Sequence, residues 1–288
     1  MQWIRELHSF PPGGPGDADC HRASRPWVLE ELDGTLRMWY AGNDRVTSRI
    51  LTAVKPPGKG WQRLGPVVEP GFSGPTDDYG VESPSVVRTP GGYLMVYGGY
   101  DSEVTRLHMA SSEDGLAWEP LGTVLQRGDD DWLGATHPCL LTTGERWWLF
   151  YTGYRQEGPL PRGSILAAVS ANGASWDRVG CVLEPDSGDL TASHPCVIDL
   201  EREYEMFYVS DHGNKTAISL ATSPDGVSWD RRGRLLGPSE DGPDSGVVET
   251  PCVVRLMDGS MHMWYSAGPR DDTEGARTIL SATFGEPD

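Results

Sequence analysis

Five times along the 288-residue chain a proline opens an apolar run, as RPWVL, SPSVV, HPCLL, HPCVI and TPCVV. The two residues ahead of that proline change from copy to copy: Ser24 and Arg25, Glu82 and Ser83, Thr136 and His137, Ser193 and His194, Glu249 and Thr250. Equivalent places thus hold one guanidinium, two carboxylates and two imidazoles. Any one of these reads equally well as a bridge between repeats. As a set, Glu82, His137, His194 and Glu249 read as a site, because packing needs no such variety. Ionisable groups gathered in a concave, partly desolvated place acquire shifted pKa values, the usual setting of acid, base and metal-ligand work.

The elements that position them recur with the same period. Strands ending MWYAG, MVYGG, LFYTG, MFYVS and MWYSA follow the proline runs, and their tyrosines, Tyr40, Tyr97, Tyr151, Tyr208 and Tyr265, are spaced 57, 54, 57 and 57. A third strand (RLHMASS, ILAAVSA, AISLATS) leads into a turn and a tryptophan, at Trp61, Trp118, Trp176 and Trp229. Four short elements separated by Gly, Pro, Asp or Asn read as a four-stranded antiparallel meander. Five meanders predict an all-β, five-bladed β-propeller, since radial repetition buries each blade face against the next. The blades fall at about 18–70, 78–126, 131–185, 189–237 and 244–284. The last lacks a fourth strand, which residues 2–10 supply: Trp3 precedes Trp61 by 58 residues, one period. That pairing closes the ring and removes an exposed edge, so 1–288 reads as one domain.

Most repeated residues are packing residues. The aromatics fill blade interfaces, and Cys139, Cys196 and Cys252, each one after its proline, read as small buried residues. In S-x-D-G-x-x-W (Ser112 to Trp118, Ser223 to Trp229) the Asp makes an Asx turn, the Gly takes positive φ and the Trp staples the outer strand. Function is therefore expected where the repeat breaks. A second layer of acids precedes the inner strands: Asp17 and Asp19, Asp77 and Asp78, Asp129 to Asp131, Asp189, and Asp241 with Asp244.

Composition narrows the partners. Forty-two acids against 24 bases give a formal charge of −18, which repels phosphate backbones and anionic lipid, so neither nucleic acid nor membrane is expected as a partner. The N-terminus MQWIRELHSF lacks the features of a signal peptide, and no apolar run approaches the roughly 20 residues of a membrane span; a cytoplasmic location is expected. Five cysteines without a CxxC pair argue against a disulfide framework and a zinc ribbon. Oligomeric state is left open.

Proline-led inner strands, S-x-D-G-x-x-W turns and WYAG-type second strands over nearly the whole chain resemble the five-bladed propellers of the glycosidase clans, families 43, 32, 68 and 117, with 130 nearby. The resemblance implies a glycoside hydrolase-like enzyme acting on a small sugar or sugar-derived substrate in the central funnel. Such enzymes place an Asp before the first inner proline as base or nucleophile, a second Asp as pKa modulator, and a Glu near a proline as acid. Glu249 in VVETPCV and Glu82 in GVESPSV match the Glu-x-Pro pattern; the Asp-Pro positions hold Arg25, Ser83, His137, His194 and Thr250 instead. A histidine is implicated as proton donor in the anhydrogalactosidase-like family, so imidazoles are not foreign to this architecture.

Two chemistries are open. In glycoside cleavage an acid protonates the leaving oxygen while a base activates water, the carboxyls standing roughly 6.5–9.5 Å apart for inversion or 5–5.5 Å for retention. Glu249 is then expected as acid and Glu82 as base, with His194 or His137 tuning them and Asp19 a reserve base; no cofactor is required. Arg25, with His21 and Arg22, would hold a carboxylate or phosphate of the substrate. Asp78, Asp131, Asp189 and Asp244 would bond sugar hydroxyls at the rim. Alternatively His137, His194, Glu82 and Glu249 bind a divalent metal ion for a lyase, isomerase or hydrolase reaction. A non-catalytic carbohydrate-binding propeller is the third reading, though such a module is expected to repeat its binding residues, and here they vary.

Overall fold

The structure is a computed structural model, and it describes residues 2–144, 146–211, 215–272 and 274–286, with the backbone alone at 7 and 8. Among the described residues twenty strands form five antiparallel four-stranded sheets. Strand β1 (Gln2–Phe10) comes first. Blade 1 follows as β2 (Arg22–Glu30), β3 (Leu36–Asn43), β4 (Ser48–Lys55) and β5 (Gln62–Val68). Blade 2 is β6 (Gly80–Thr89), β7 (Gly92–Tyr100), β8 (Thr105–Ser112) and β9 (Glu119–Thr123). Blade 3 is β10 (Gly134–Thr143), β11 (Arg146–Glu157), β12 (Leu160–Ser170) and β13 (Asp177–Leu183). Blade 4 is β14 (Ala192–Asp199), β15 (Tyr204–Asp211), β16 (Thr216–Ser223) and β17 (Asp230–Leu236). Blade 5 is β18 (Val247–Arg255), β19 (Met261–Gly268) and β20 (Thr278–Gly285), with β1 as its outer strand. Trp3 pairs with Phe284 and Phe10 with Ile279 across that closure, as the period of the tryptophans predicts.

The blades hold one another through repeated contacts. Trp3 meets Phe207 of blade 4 edge-on at 5.9 Å, Trp118 meets Trp39 of blade 1 at 6.2 Å, and Trp229 meets Phe150 of blade 3 at 5.9 Å. Such edge-to-face pairs add about 0.5–1.5 kcal/mol each beyond their buried area. The turns before Trp118 and Trp229 are built as the sequence predicts: Asp114 accepts the Leu116 and Ala117 amides, Asp225 those of Val227 and Ser228, and Gly115 and Gly226 have φ of 74° and 76°.

The residue after each strand proline does more than fill space. Ser85 accepts the Leu140 amide at 2.8 Å, while Cys139, Cys196 and Cys252 accept those of Val197, Val253 and Val28 at 3.2 Å each. At the fifth place the Trp27 indole donates to the Val86 carbonyl at 2.7 Å. Each inner strand is thereby tied to the next around the whole ring, and a buried amide is satisfied at four of the seams.

Candidate active site

Every inner strand breaks register at its proline: between Ser24 and Trp27, Glu82 and Ser85, Thr136 and Cys139, Ser193 and Cys196, and Glu249 and Cys252. Within each bulge the residue before proline is left-handed: Arg25, Ser83, His137, His194 and Thr250 have φ from 49° to 55°. Non-glycine residues rarely adopt this conformation, and bulges commonly re-aim side chains beside active sites. Here the device is repeated five times, and together with the prolines these five residues line a pocket on the propeller axis.

Around that pocket the predicted residues meet. Arg25 Nη1 lies 2.7 Å from Glu82 Oε2, and its Nε donates to His137 Nε2 at 3.3 Å. The His137 and His194 rings stand 3.5 Å apart, centroid to centroid, and His194 Nδ1 is 2.8 Å from the Ser193 hydroxyl. Two backbone supports fix the arginine and the second histidine: the Arg25 amide donates to Ser266 at 2.7 Å and the His194 amide to Thr152 at 2.9 Å. Several buried polar atoms beside the prolines have no hydrogen-bond partner among the described residues, among them Ser24 Oγ, Ser83 Oγ, Thr136 Oγ1 and His137 Nδ1.

Two residues that the proline pattern misses complete the arrangement. Arg277 Nε lies 3.1 Å from Glu249 Oε1. Tyr154 sits within electrostatic reach of Arg25, Glu82 and Glu249, its hydroxyl pKa raised by burial and by the two carboxylates. Arg277 also stands where the repeat breaks, once the strand register is known. Counting three residues back from the partner of each repeated tyrosine gives Ser48, Thr105, Gly163, Thr216 and then Arg277.

The electrostatics assign protonation states. Burial pushes the His137 imidazole well below its ordinary value, with His194 and Arg25 adding to the effect. Burial likewise takes His194 down to about 4, against an opposing pull from Glu249. Both rings are neutral at neutral pH. For Glu249, burial raises the carboxyl, but His194, Arg277 and Arg25 outweigh it and hold it below its ordinary value. Glu249 is therefore ionised at neutral pH, which suits a base or nucleophile and is at odds with the proton donor that the Glu-x-Pro motif implies.

The acids of the approach loops have other partners. Asp19 is fully buried, 2.9 Å from both the Tyr40 hydroxyl and Arg63. Asp131 bonds Tyr151 at 3.1 Å and Arg178 at 2.8 Å; Asp244 bonds Tyr265 at 3.1 Å and Arg5 at 2.6 Å. In blade 4, Arg231 bonds Tyr208 and the charge of buried Asp189 is felt there. Asp19, Asp131 and Asp244 anchor their blade tyrosines and are closed to a reserve-base role or to substrate hydroxyls at the rim, while Asp189 is buried and shares a pocket lining with Tyr208 and Arg231. Blade 2 uses Asp77 and Tyr97 at 2.8 Å. Asp78, by contrast, is exposed. His21 lies beside Glu274, which is paired with Arg45.

A metal ion does not fit. Among the described residues no group of three or more His, Cys, Asp or Glu is arranged to hold one. The physical reason is Arg25: its guanidinium already contacts Glu82 and His137, placing a fixed positive charge where His137, His194, Glu82 and Glu249 would have to meet a cation.

No known protein-family model matches the chain. It is 29% identical to the uncharacterized proteins MT1551 and Rv1502 of two Mycobacterium tuberculosis strains, over 92% of this chain and 95% of theirs. Among solved structures it is similar to a glycoside hydrolase (TM-score 0.81, 18% identity, 99% of this chain and 93% of that one). A thermostable family-43 glycoside hydrolase also has a TM-score of 0.81, with 17% identity over 98% of this chain and 94% of its own. A member of the GH130 family of mannoside phosphorylases and glycoside hydrolases gives 0.72, with 15% identity over 99% and 96%. The five-bladed fold is thus one it shares with propeller glycoside hydrolases.

Proposed function

We propose that this protein is a glycosidase-like enzyme that takes a small sugar or sugar-derived substrate into the central funnel and works by acid and base catalysis. One observation carries the reading: the two carboxyls at strand starts, Glu82 and Glu249, are each held by an arginine, Arg25 and Arg277, around a pair of neutral imidazoles on the axis. The propeller glycoside hydrolases of like fold support it.

In this reading Glu249, ionised at neutral pH, is the base: it activates water or attacks the anomeric carbon. Glu82 is the acid: once Arg25 turns from it toward the substrate, the carboxylate takes up a proton from solvent and passes it to the leaving oxygen. This reverses the roles that the motif resemblance implies. His194 and His137 position the reacting groups, and they stay uncharged so that the funnel does not accumulate positive charge beside Arg25.

The test is turnover of a panel of aryl glycosides and short oligosaccharides by the wild type and by Glu249→Gln. The glutamine keeps the shape and removes the base, so activity should fall roughly 10²- to 10⁴-fold with the far-UV spectrum preserved. Undiminished turnover by the variant sinks the assignment of Glu249, and a wild type inert on the whole panel favours a non-catalytic sugar-binding module.

A further inference from the structure

The seam between blades 5 and 1 differs from the other four at one register position. Where the start of a third strand meets the next inner strand, Ser48 lies against Gly80, Thr105 against Gly134 and Gly163 against Thr191, and the Thr216 hydroxyl accepts the Val248 amide at 3.2 Å. At the closing seam the equivalent pair is Arg277 and Arg22, joined by a parallel backbone bridge like that of Gly163 and Thr191. Two guanidiniums thus stand where the fold otherwise uses small or short side chains. Backbone pairing does not ask for them, since the Ala23 amide donates to the Arg277 carbonyl at 3.1 Å whatever the side chains.

The two arginines are not equally occupied. Arg277 is satisfied by Glu249 at 3.1 Å, by Asp272 at 3.5 Å and by the Ala276 carbonyl at 2.8 Å. Arg25 has Glu82. Arg22 makes no ion pair among the described residues; its Nε donates to the Gly275 carbonyl at 3.0 Å, and it is half-buried. It lies within electrostatic reach of Arg25, Arg277, Glu82 and Glu249. A partly desolvated guanidinium beside two other cations, with no carboxylate of its own, is costly unless an anion arrives. Arginine's planar fork suits a carboxylate or phosphate oxygen pair.

We infer that Arg22 forms an oxyanion subsite, so that the sugar taken by the funnel carries a carboxylate, as a uronate does, seated between Arg22 and Arg25. The inference rests on the sugar-binding reading of the funnel and names its substrate class. Seating that group draws Arg25 from Glu82, which is the step the acid needs.

Binding is read without turnover, by titration calorimetry of the wild type, Arg22→Gln and Arg22→Lys. The probes are glucuronate, galacturonate and mannuronate, their neutral parents glucose, galactose and mannose, and inorganic phosphate. The expected result is that at least one uronate binds saturably and about tenfold or more tighter than its parent, that Arg22→Gln abolishes the difference and that Arg22→Lys keeps part of it. Inorganic phosphate displacing that uronate in the wild type and not in Arg22→Gln supports recognition of the oxyanion itself. Equal binding of acid and parent, no binding of any uronate, or a preference that survives Arg22→Gln overturns the inference, as does phosphate binding while every uronate is inert. Glu249→Gln separates the two claims: uronate binding kept with turnover lost supports both, whereas uronate preference kept with turnover unchanged leaves the subsite standing and removes the acid and base assignment.

Discussion

Arg25 of blade 1 and Glu82 of blade 2 are ion-paired at 2.7 Å, with side chains 22% and 24% exposed. The same guanidinium also reaches His137 of blade 3, so one side chain bridges three inner strands. Each of these residues stands beside a strand proline in a bulge, and the pairing exists because five bulges turn them toward one axis.

Replacing Arg25 with Gln removes the group that orders Glu82 and His137. Misplacing a reacting group by about 1 Å can cost roughly 10²-fold in rate, and a loss of that order in kcat/KM is expected. Arg25→Lys should recover little, because a point charge cannot serve a carboxylate and an imidazole in the same plane. Steady-state kinetics on any glycoside the wild type turns over provides the check.

The histidines set a pH dependence of stability. His137 and His194 have folded-state pKa values below the ordinary value of 6.5, His194 at about 4. The unfolded chain therefore binds more protons as pH falls, so stability is complete above about 6.5 and is lost between there and about 4. Glu249, also lowered, adds to the loss at the acid end. Melting temperatures from pH 7.5 to 4 should decline, and His194→Gln should flatten the curve; an unchanged slope would contradict neutral burial of that ring.

The ring of amide-to-side-chain bonds after the prolines gives a structural prediction. Cys196 accepts the buried Val253 amide at 3.2 Å, and Ser85 does the same for Leu140 at 2.8 Å. Cys196→Ser should be nearly neutral. Cys196→Ala leaves the amide unpaired and should cost about 1–3 kcal/mol, measured by urea unfolding.

Asp131 separates anchoring from binding. It is buried against Tyr151 and Arg178, away from the axial groups. Asp131→Asn should lower stability by about 2 kcal/mol, since it weakens hydrogen bonds to a charged group, and leave KM for any sugar within about twofold. A large change in KM at unchanged stability would restore Asp131 to the substrate.

The sequence by itself determined the fold and most of the axial groups. The near-57-residue period, the five tyrosines and the placement of Trp3 one period before Trp61 are local and repetitive, so one register specifies all five blades and the closing strand. The same alignment exposed Arg25, Glu82, His137, His194 and Glu249 as variable among invariant prolines. Only the tertiary structure decided what each group is bonded to. The loop aspartates look like rim ligands in the chain; folding buries Asp19, Asp131, Asp189 and Asp244 among the blade tyrosines and, in three blades, pairs them with an arginine roughly 45 residues onward or, for Asp244, from the far N-terminus. Glu249 reads as an acid from its motif, yet Arg277, 28 residues later, and the neighbouring His194 and Arg25 set its charge. Protonation state and pairing are properties of distances across the ring, and spacing along one blade does not contain them.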